Sequence, residues 1–213
     1  MDKLDPAADA PICEEGDLRA LYGEASELAR LKQFDRLDAH CRRFIGQSPF
    51  LVIGTTKPGV GTDVSPRGDA PGFVQVLDDR TLAIPDRLGN NRVDTMSNLT
   101  HDPSVGLIFF IPGIDETLRV NGTASLVRDP ALLQSMAVNG KLPKLAIKVS
   151  VREAFMHCGK ALKRSKLWAD DFKVAPKNFP SLGRIIVEQV KPSGVSVEEA
   201  ERRVEDGYKN KMY

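Results

Sequence analysis

Short apolar runs separated by turn signals fill the chain between residues 50 and 127, and this alternation limits the fold more than any other feature. Residues 50–56 are rich in β-branched side chains, and Lys57-Pro58-Gly59 then supplies a turn, so residues 62–65 are predicted to pair back as a hairpin. Residues 105–111 are apolar on both faces, which predicts a central, buried strand. The other strands predicted in this region are 73–77, 81–84 and 117–127.

The dipeptide Asn121-Gly122 allows two structures for the last of these segments. Asn-Gly favours a two-residue type I′ hairpin turn, which would divide residues 117–127 in two. We favour an unbroken strand with the glycine at a close approach to a neighbour, because the two halves are too short to pair well alone.

Helices are predicted on both sides of the β-rich region. From residue 17 to about residue 45, apolar residues recur at helical spacings, which predicts two short helices with a break near residues 33–35 and an end near Gly46. Capping boxes at Ser150 and Ser196 predict a helix start at each, the first helix running to Ser165. The remaining helices are predicted at 92–99 and 130–138, and the remaining strands at 145–149 and 184–190.

Together these elements predict a mainly β protein, with six or seven mostly antiparallel strands in a closed or partly closed barrel and helices beside it. A chain of 213 residues is long enough for one sizeable core and short for two, so a single domain over residues 1–213 is predicted. Its N-terminal helical lead would occupy about residues 15–46 and its C-terminal helix about residues 196–210.

Charge and composition exclude several classes of protein. Thirty basic and 29 acidic side chains give a formal net charge of +1, so neither nucleic acid nor an anionic membrane is an expected partner. The longest apolar run, residues 105–111, is too short to cross a bilayer. Residues 1–17 contain no apolar stretch of signal-peptide length, and three cysteines are an odd number for a disulfide framework, so a cytoplasmic protein is predicted.

Three donor-rich segments lie on or after predicted strands and are candidates for holding a phosphorylated ligand. A guanidinium binds phosphate bidentately, and backbone N–H groups at a turn or helix start add partial positive charge. Alone, an Asn-Asn-Arg turn more often only caps a helix, so the prediction rests on the three segments together. They are Ser65-Pro-Arg-Gly-Asp69, Asp86-Arg-Leu-Gly-Asn-Asn-Arg92 and Leu118-Arg-Val-Asn-Gly-Thr-Ala124.

Motifs for other cofactors and for metals are incomplete. Gly59-Val-Gly61 lacks the third glycine and the following helix of a dinucleotide site, so a Rossmann site is not supported. The dipeptides His40-Cys41 and His157-Cys158 invite a metal hypothesis, but adjacent residues on a helix point about 100 degrees apart and cannot easily clamp one ion. No metal site is predicted.

A basic cluster lies in the helix predicted over residues 150–165. His157, Lys160 and Arg164 are three and four residues apart, so all three side chains can address one anion. The alternative interpretation is a solvated basic face, which such charge runs usually form.

Several motifs then follow one another in a fixed order between residues 49 and 168. They are Ser65-Pro-Arg-Gly-Asp, Pro71-Gly-Phe-Val, Leu82-Ala-Ile-Pro-Asp-Arg, Gly89-Asn-Asn-Arg, Pro112-Gly-Ile, Leu118-Arg-Val-Asn-Gly-Thr-Ala and His157-Cys-Gly-Lys-Ala. Together they resemble the pyridoxamine 5′-phosphate oxidase-like FMN-binding proteins, and most closely a bacterial branch with no settled substrate. The resemblance implies a split β-barrel homodimer with one FMN in each of two clefts between the subunits.

The resemblance also implies roles for individual residues. Asn90, Asn91 and Arg92 match the family's phosphate-gripping turn. Ser65 and Arg67 would lie along the ribityl chain or the ring of the cofactor.

Other cofactor-binding residues are implied at more distant positions. Gln75 occupies a strand position that faces the cofactor elsewhere in the family. The residues that the partner subunit would supply are Arg119, His157, Lys160 and Arg164.

Two departures from the family pattern argue against pyridoxamine phosphate as the substrate. The authentic oxidase has a basic strand motif, Arg-x-Val-Leu-Leu-Lys, where this chain has Gly72-Phe-Val-Gln-Val76. The oxidase also has an Arg-Leu-x-Pro segment that helps to hold its substrate, where this chain has Asp206-Gly-Tyr-Lys-Asn-Lys-Met-Tyr213.

The function predicted from these comparisons of motifs is that of an FMN-binding flavoprotein, acting as an oxidoreductase on an unknown substrate. Two alternatives stay open. One is a non-catalytic module that binds or senses flavin, and the other is a split barrel that binds haem or the deazaflavin F420.

Overall fold

The computed structural model describes residues 11–213 and divides the chain into two units, Met1–Gln33 and Phe34–Tyr213. In the described part of the first unit, helix α1 spans Glu15–Tyr22 and helix α2 spans Glu27–Leu31. Gly23, with a φ of 68°, ends α1. The first of the two helices predicted for residues 17–45 is therefore interrupted, because glycine adopts positive φ without steric cost and ends helices readily.

The second unit is built on one seven-stranded sheet in which every neighbouring pair is antiparallel. The order across the sheet begins at β2 and ends at β3, so the sheet does not close on itself: β2-β1-β5-β6-β7-β4-β3. The strands are β1 (Phe50–Lys57), β2 (Gly61–Gly68), β3 (Gln75–Val76), β4 (Thr81–Pro85), β5 (Ser104–Phe110), β6 (Thr117–Val127) and β7 (Ala146–His157). The predicted fold class, a mainly β split barrel with six to seven antiparallel strands, is confirmed.

The described residues of the second unit also form six α-helices. Four of them begin after an Asp or Ser whose side chain accepts a backbone N–H, which is the usual N-cap arrangement. The cap at Ser196 is one of these, so the helix predicted to begin there is confirmed. The helices are α3 (Ala39–Gln47), α4 (Asp94–Leu99), α5 (Pro130–Ser135), α6 (Lys160–Ser165), α7 (Leu182–Val190) and α8 (Val197–Asn210).

The core lies against the inward face of the central strands. Leu51 and Ile53 on β1 are fully buried, as are Leu118 and Val120 on β6, each pair separated by one less buried residue. Burial of each such side chain contributes about 1.5–3 kcal/mol. Because side chains alternate along a strand, the burial of Leu51 and Ile53 also determines which side chains of the paired strand β2 lie on the same face of the sheet.

The long pair β6 and β7 carries the one irregularity in its register, between Asn121 and Gly122. A Cβ on Gly122 would lie 2.0 Å from the Ser150 carbonyl oxygen, so only glycine fits this approach. The prediction of an unbroken strand over Thr117–Val127, with its glycine against a neighbour, is confirmed.

The helix predicted from Ser150 to Ser165 is wrong, because residues up to His157 belong to β7. Val149 and Val151 are buried while Lys148, Ser150 and Arg152 are exposed, which is the two-residue period of a strand. β7 pairs with β6 on one side and β4 on the other, and these backbone hydrogen bonds override the local capping signal. Only Lys160–Ser165 is helical.

The strand predicted at residues 184–190 is also wrong, since Leu182–Val190 forms α7. The segment is rich in β-branched residues, but Ser181 caps it as a helix. A Cβ on Gly183 would lie 2.6 Å from the Glu201 nitrogen, so α7 packs closely against α8. Tertiary packing therefore decides this element against its local β propensity.

A buried hydrogen bond holds α4 against β1. Asn98 Nδ2 donates to Thr55 Oγ1 at 3.0 Å, and both side chains are buried. This bond anchors the helix that follows residues 86–93, and so fixes where that loop leaves the sheet. None of the helices in residues 11–213 is both long and apolar enough to span a bilayer.

Candidate functional site

A cavity of about 650 Å³ lies beside β2 and the start of α4. Its walls come from five parts of the chain: β2, Phe73 before β3, the segment from β4 into α4, a short loop before β7, and the residue Tyr213 after α8. The lining residues are those at 63–68, 73, 85–96, 141–144 and 213.

Strand β2 contributes residues 63–68 to the cavity wall. In the β1–β2 hairpin, Leu51 pairs with Arg67 and Ile53 with Ser65. Asp63, Ser65 and Arg67 are half-buried and share one face, since they are two residues apart. The hairpin predicted from the Lys57-Pro58-Gly59 turn therefore brings Ser65 and Arg67 into the site.

Arg67 is a firmly held cation of the cavity. Its guanidinium donates to Ser65 Oγ at 2.5 Å, to the Pro66 carbonyl at 2.8 Å and to Thr95 Oγ1 at 2.9 Å. Burial lowers the pKa of Arg67, while the carboxylates of Asp86 and Asp63 act in the opposite direction. The side chain is therefore a pre-positioned positive charge in a partly dry environment, where its attraction for an anion is strengthened.

The turn Asn90–Arg92 forms a second part of the wall. Asn91 has a φ of 59° and Val93 a φ of 54°, both in the left-handed region, which a β-branched residue rarely adopts. Asn90 Oδ1 accepts a hydrogen bond from Arg92 N at 3.0 Å. Arg92 Nε donates to Asp94 at 2.7 Å in an exposed pair, which holds the side chain only weakly.

Asp86 places a carboxylate in the same cavity. Burial raises its pKa, although the positive charges of Arg67 and Lys144 act to lower it. A half-buried acid next to Arg67 can accept hydrogen bonds from a ligand or hold a proton.

Next to the cavity, Asp69 joins two residues that come from distant parts of the chain. Its carboxylate accepts hydrogen bonds from Arg87 Nε at 2.6 Å and from the Tyr213 hydroxyl at 2.7 Å. The side chains of Asp69 and Arg87 are 4% and 17% exposed, so this ion pair is well shielded from solvent.

Five of the ten predicted cofactor-binding residues line the cavity, and five do not. The lining residues are Ser65, Arg67, Asn90, Asn91 and Arg92. The predicted residues of the described chain that lie outside its wall are Gln75, Arg119, His157, Lys160 and Arg164.

The residues outside the wall have other neighbours. Gln75 Nε2 donates a hydrogen bond to the Ser135 carbonyl oxygen at 3.0 Å, and the Ser135 hydroxyl donates one to Gln75 Oε1 at 3.0 Å. The Arg119 guanidinium lies 5.4 Å from the centre of the Phe155 ring on the paired strand. His157 also lies on that strand, which corrects the prediction that it shares one helix with the two basic residues of α6.

The charged or aromatic residues in or beside the cavity include six that are not among the ten predicted cofactor-binding residues. Three of them lie within the donor-rich segments, so their position was a signal, although no role was assigned to them. The other three have no local signal, because their contacts are made across long stretches of chain. The six are Asp69, Asp86 and Arg87, then Lys141, Lys144 and Tyr213.

The chemistry of this wall fits a phosphorylated heteroaromatic ligand such as FMN. Arginine, lysine and asparagine side chains supply the donors that a phosphate requires. Apolar side chains supply surface for a ring, and the volume is within the range of ligand pockets. The apolar lining residues include Phe73, Leu88, Val93, Met96 and Leu142. Among residues 11–213, no group of three His, Cys, Asp or Glu side chains could hold a metal ion.

Comparison with known proteins gives a family match. Residues 37–158 match the family model described as pyridoxamine 5′-phosphate oxidase. No curated protein matches the chain.

Several solved structures resemble the chain at low identity. HupZ from Group A Streptococcus shares 15% identity over 56% of this chain and 92% of that one, with a TM-score of 0.45. An FMN-binding protein from Syntrophomonas wolfei shares 11% identity over 68% and 97%, with a TM-score of 0.44. General Stress Protein 26 from Bacillus anthracis shares 14% over 54% and 88%, with a TM-score of 0.42. Similarity at this level does not establish a shared function.

Proposed function

The chain belongs to the pyridoxamine 5′-phosphate oxidase family, and on this premise we propose that it binds FMN in the cavity beside β2 and acts as an FMN-dependent oxidoreductase. The observation that carries the proposal is the half-buried Arg67 guanidinium, held by three hydrogen bonds in a cavity that also contains the Asn90–Arg92 turn. A cation and a donor-rich turn in one wall are what a phosphate group needs.

The residues of the cavity would bind and orient this cofactor. Arg67 and the Asn90–Arg92 turn bind the anionic group, and Arg67 also stabilises negative charge within the cavity. Apolar side chains such as Leu88 and Leu142 would contact the ring. These residues would hold FMN, and the cofactor would supply the redox chemistry as a hydride acceptor.

The proposal includes a homodimer with the cofactor between subunits. Arg119, His157, Lys160 and Arg164 lie outside the cavity of their own chain, yet they come from neighbouring positions. Thr117, two residues before Arg119, pairs with His157, and α6 begins three residues after His157. Such a basic group is suited to completing a cleft in a second subunit, where it would add positive charge to the anion site.

Purified protein tests the proposal directly. The protein is expected to carry, or to take up, FMN with the visible absorbance bands of oxidised flavin, and a protein that stays colourless after incubation with FMN contradicts it. A Soret band would instead indicate haem.

The redox part of the proposal needs a separate measurement. FMN-loaded protein is mixed with NADPH, NADH and reduced F420 in turn, and bleaching of the flavin band by one of them is expected. Failure of all three donors contradicts the oxidoreductase and favours a flavin-binding module without catalysis.

A further inference from the structure

Tyr213 is attached to the cavity wall by contacts to its hydroxyl, its ring and its backbone. Its hydroxyl donates to Asp69 Oδ1 at 2.7 Å. Its ring centre lies 5.7 Å from the Arg87 guanidinium carbon, a cation–π contact. Its backbone oxygen accepts from Lys141 Nζ at 2.8 Å. Three independent contacts hold the residue in one orientation.

The groups that hold Tyr213 are themselves fixed. Asp69 is shielded, with a side chain 4% exposed, and its second oxygen binds Arg87 at 2.6 Å. Arg87 also donates to the Met136 carbonyl at 2.8 Å. A hydrogen bond to a shielded, paired carboxylate is among the stronger ones available to a phenol.

These contacts put Tyr213 in the wall rather than beside it. Arg87, Lys141 and Tyr213 all line the cavity, so two of the three partners of the tyrosine belong to the same wall, and the third, Asp69, lies next to it. Residues 211–213 lead from the end of α8 to this point, and Tyr213 is the residue of that segment that lines the cavity. A ligand in the cavity therefore has the tyrosine as one of its boundaries.

We propose that Tyr213 is a latch that contacts the ligand, with Asp69 as its positioning residue, and that a bound FMN leaves the cavity more slowly because the Tyr213–Asp69 contact must open first. The inference rests on the proposed function, since it takes FMN as the ligand. It assigns to this site a residue that retains the ligand, in addition to the residues that bind its phosphate.

The latch also has a signature that does not depend on FMN. The hydrogen bond to Asp69 raises the pKa of the Tyr213 phenol, and the nearby Arg87 acts to lower it. Loss of the Asp69 charge should therefore let the phenol ionise at lower pH in the protein without flavin. The titration is followed by ultraviolet absorbance, and Tyr213→Phe identifies which part of the signal belongs to this residue.

The deciding experiment measures FMN dissociation by the recovery of flavin fluorescence after dilution. Tyr213→Ala is expected to dissociate about tenfold faster or more, as for loss of a hydrogen bond to a charged group together with a packed ring. Tyr213→Phe keeps the ring and should be intermediate, and Asp69→Asn should resemble it. Tyr208→Phe, an exposed tyrosine on α8, is the matched control and should dissociate like the wild type.

The possible outcomes separate the latch from the proposed function. If the wild type takes up no FMN, both the proposed function and the latch fail. If the wild type binds FMN but Tyr213→Phe and Tyr213→Ala release it at the wild-type rate, the latch alone is overturned. Should Tyr213→Ala fail to fold, the comparison of Tyr213→Phe with Tyr208→Phe still decides.

Discussion

At the scale of single residues, Arg67 and Arg92 of the donor-rich segments differ in how firmly they are held. Arg67 is half-buried and makes three hydrogen bonds, whereas the Arg92 side chain is 72% exposed and pairs with an exposed Asp94. An exposed pair loses much of its strength to solvent, while a buried cation does not. Arg67 is therefore expected to contribute more to anion binding in the cavity than Arg92 does.

This difference predicts the ranking of two variants. Arg67→Ala should weaken FMN binding by about 1.5–3 kcal/mol, the range for hydrogen bonds to charged groups, and Arg92→Ala should weaken it less. Affinity is measured by fluorescence titration, with thermal unfolding as a check on the fold. Arg152→Ala, an exposed arginine on β7 outside the cavity, is the control and should bind as the wild type does. A larger loss in Arg92→Ala than in Arg67→Ala would contradict the ranking.

The carboxylate of Asp69 predicts a dependence of stability on pH. Burial acts to raise its pKa, but hydrogen bonds from Tyr213, the Ala70 N–H and Arg87 outweigh burial, so the native pKa is lowered. A lowered native pKa contributes stability that is fully present above the unfolded pKa. That contribution is lost as the pH falls below about 4 and through the native pKa.

Denaturant unfolding at a series of pH values checks this dependence. The wild type should lose more stability than Asp69→Asn does on going from about pH 5 to pH 3, because the variant has no such carboxylate to protonate. Asp170→Asn, whose wild-type side chain is 89% exposed, should show the same change of unfolding free energy with pH as the wild type. If the free energy of unfolding changes equally with pH in all three proteins, Asp69 contributes nothing to the pH dependence of stability.

At the scale of elements, β6 and β7 are the longest strands and carry the tightest backbone approach. The 2.0 Å separation between a Cβ on Gly122 and the Ser150 oxygen leaves no room for a side chain. The register shift at Asn121 and Gly122 is therefore tied to glycine, and the pairing of the two strands depends on it.

Gly122→Ala is expected to lower the free energy of unfolding by at least about 1–3 kcal/mol, since the strands must separate to admit the methyl group. Gly46→Ala is the matched control: Gly46 lies inside α3, and a Cβ there meets nothing within 4 Å. That variant should gain about 0.5–1 kcal/mol, because alanine loses less backbone entropy in a helix. Denaturant unfolding of the two variants should therefore shift in opposite directions.

At the scale of the whole molecule, the proposed dimer divides each cleft between two chains. Arg67 lies in the cavity of its own chain, and Arg119 lies outside it. Under the proposal, Arg67→Ala and Arg119→Ala both weaken FMN binding, although only one of them alters the chain's own cavity.

Mixing the two variants tests this division. A dimer with one Arg67→Ala chain and one Arg119→Ala chain would contain one cleft with both arginines and one cleft with neither. Mixed dimers are therefore expected to regain tight FMN binding in one of their two clefts, while each variant alone does not. No recovery in mixed dimers, verified by mass spectrometry, would contradict a cleft shared between subunits.

Much of the fold could be predicted from the sequence where the pattern is local. The β1–β2 hairpin followed from β-branched runs around the Lys57-Pro58-Gly59 turn, and β6 from its alternation together with Gly122. The errors at β7 and α7 arose where a local signal competed with packing. Ser150 begins a capping box, yet its segment pairs with two strands, and the β-branched segment of α7 packs as a helix against α8.

The sequence by itself determined the strands and turns of the sheet other than the second half of β7, and the donor-rich segments at Ser65–Arg67 and Asn90–Arg92. These depend on side-chain alternation and turn chemistry, which act over a few residues. Only the tertiary structure decided that Asp69, Arg87, Lys141 and Tyr213 join them around one cavity. Tyr213 and Asp69 are 144 residues apart, and no short-range pattern records a contact that exists only after the sheet has brought its loops together.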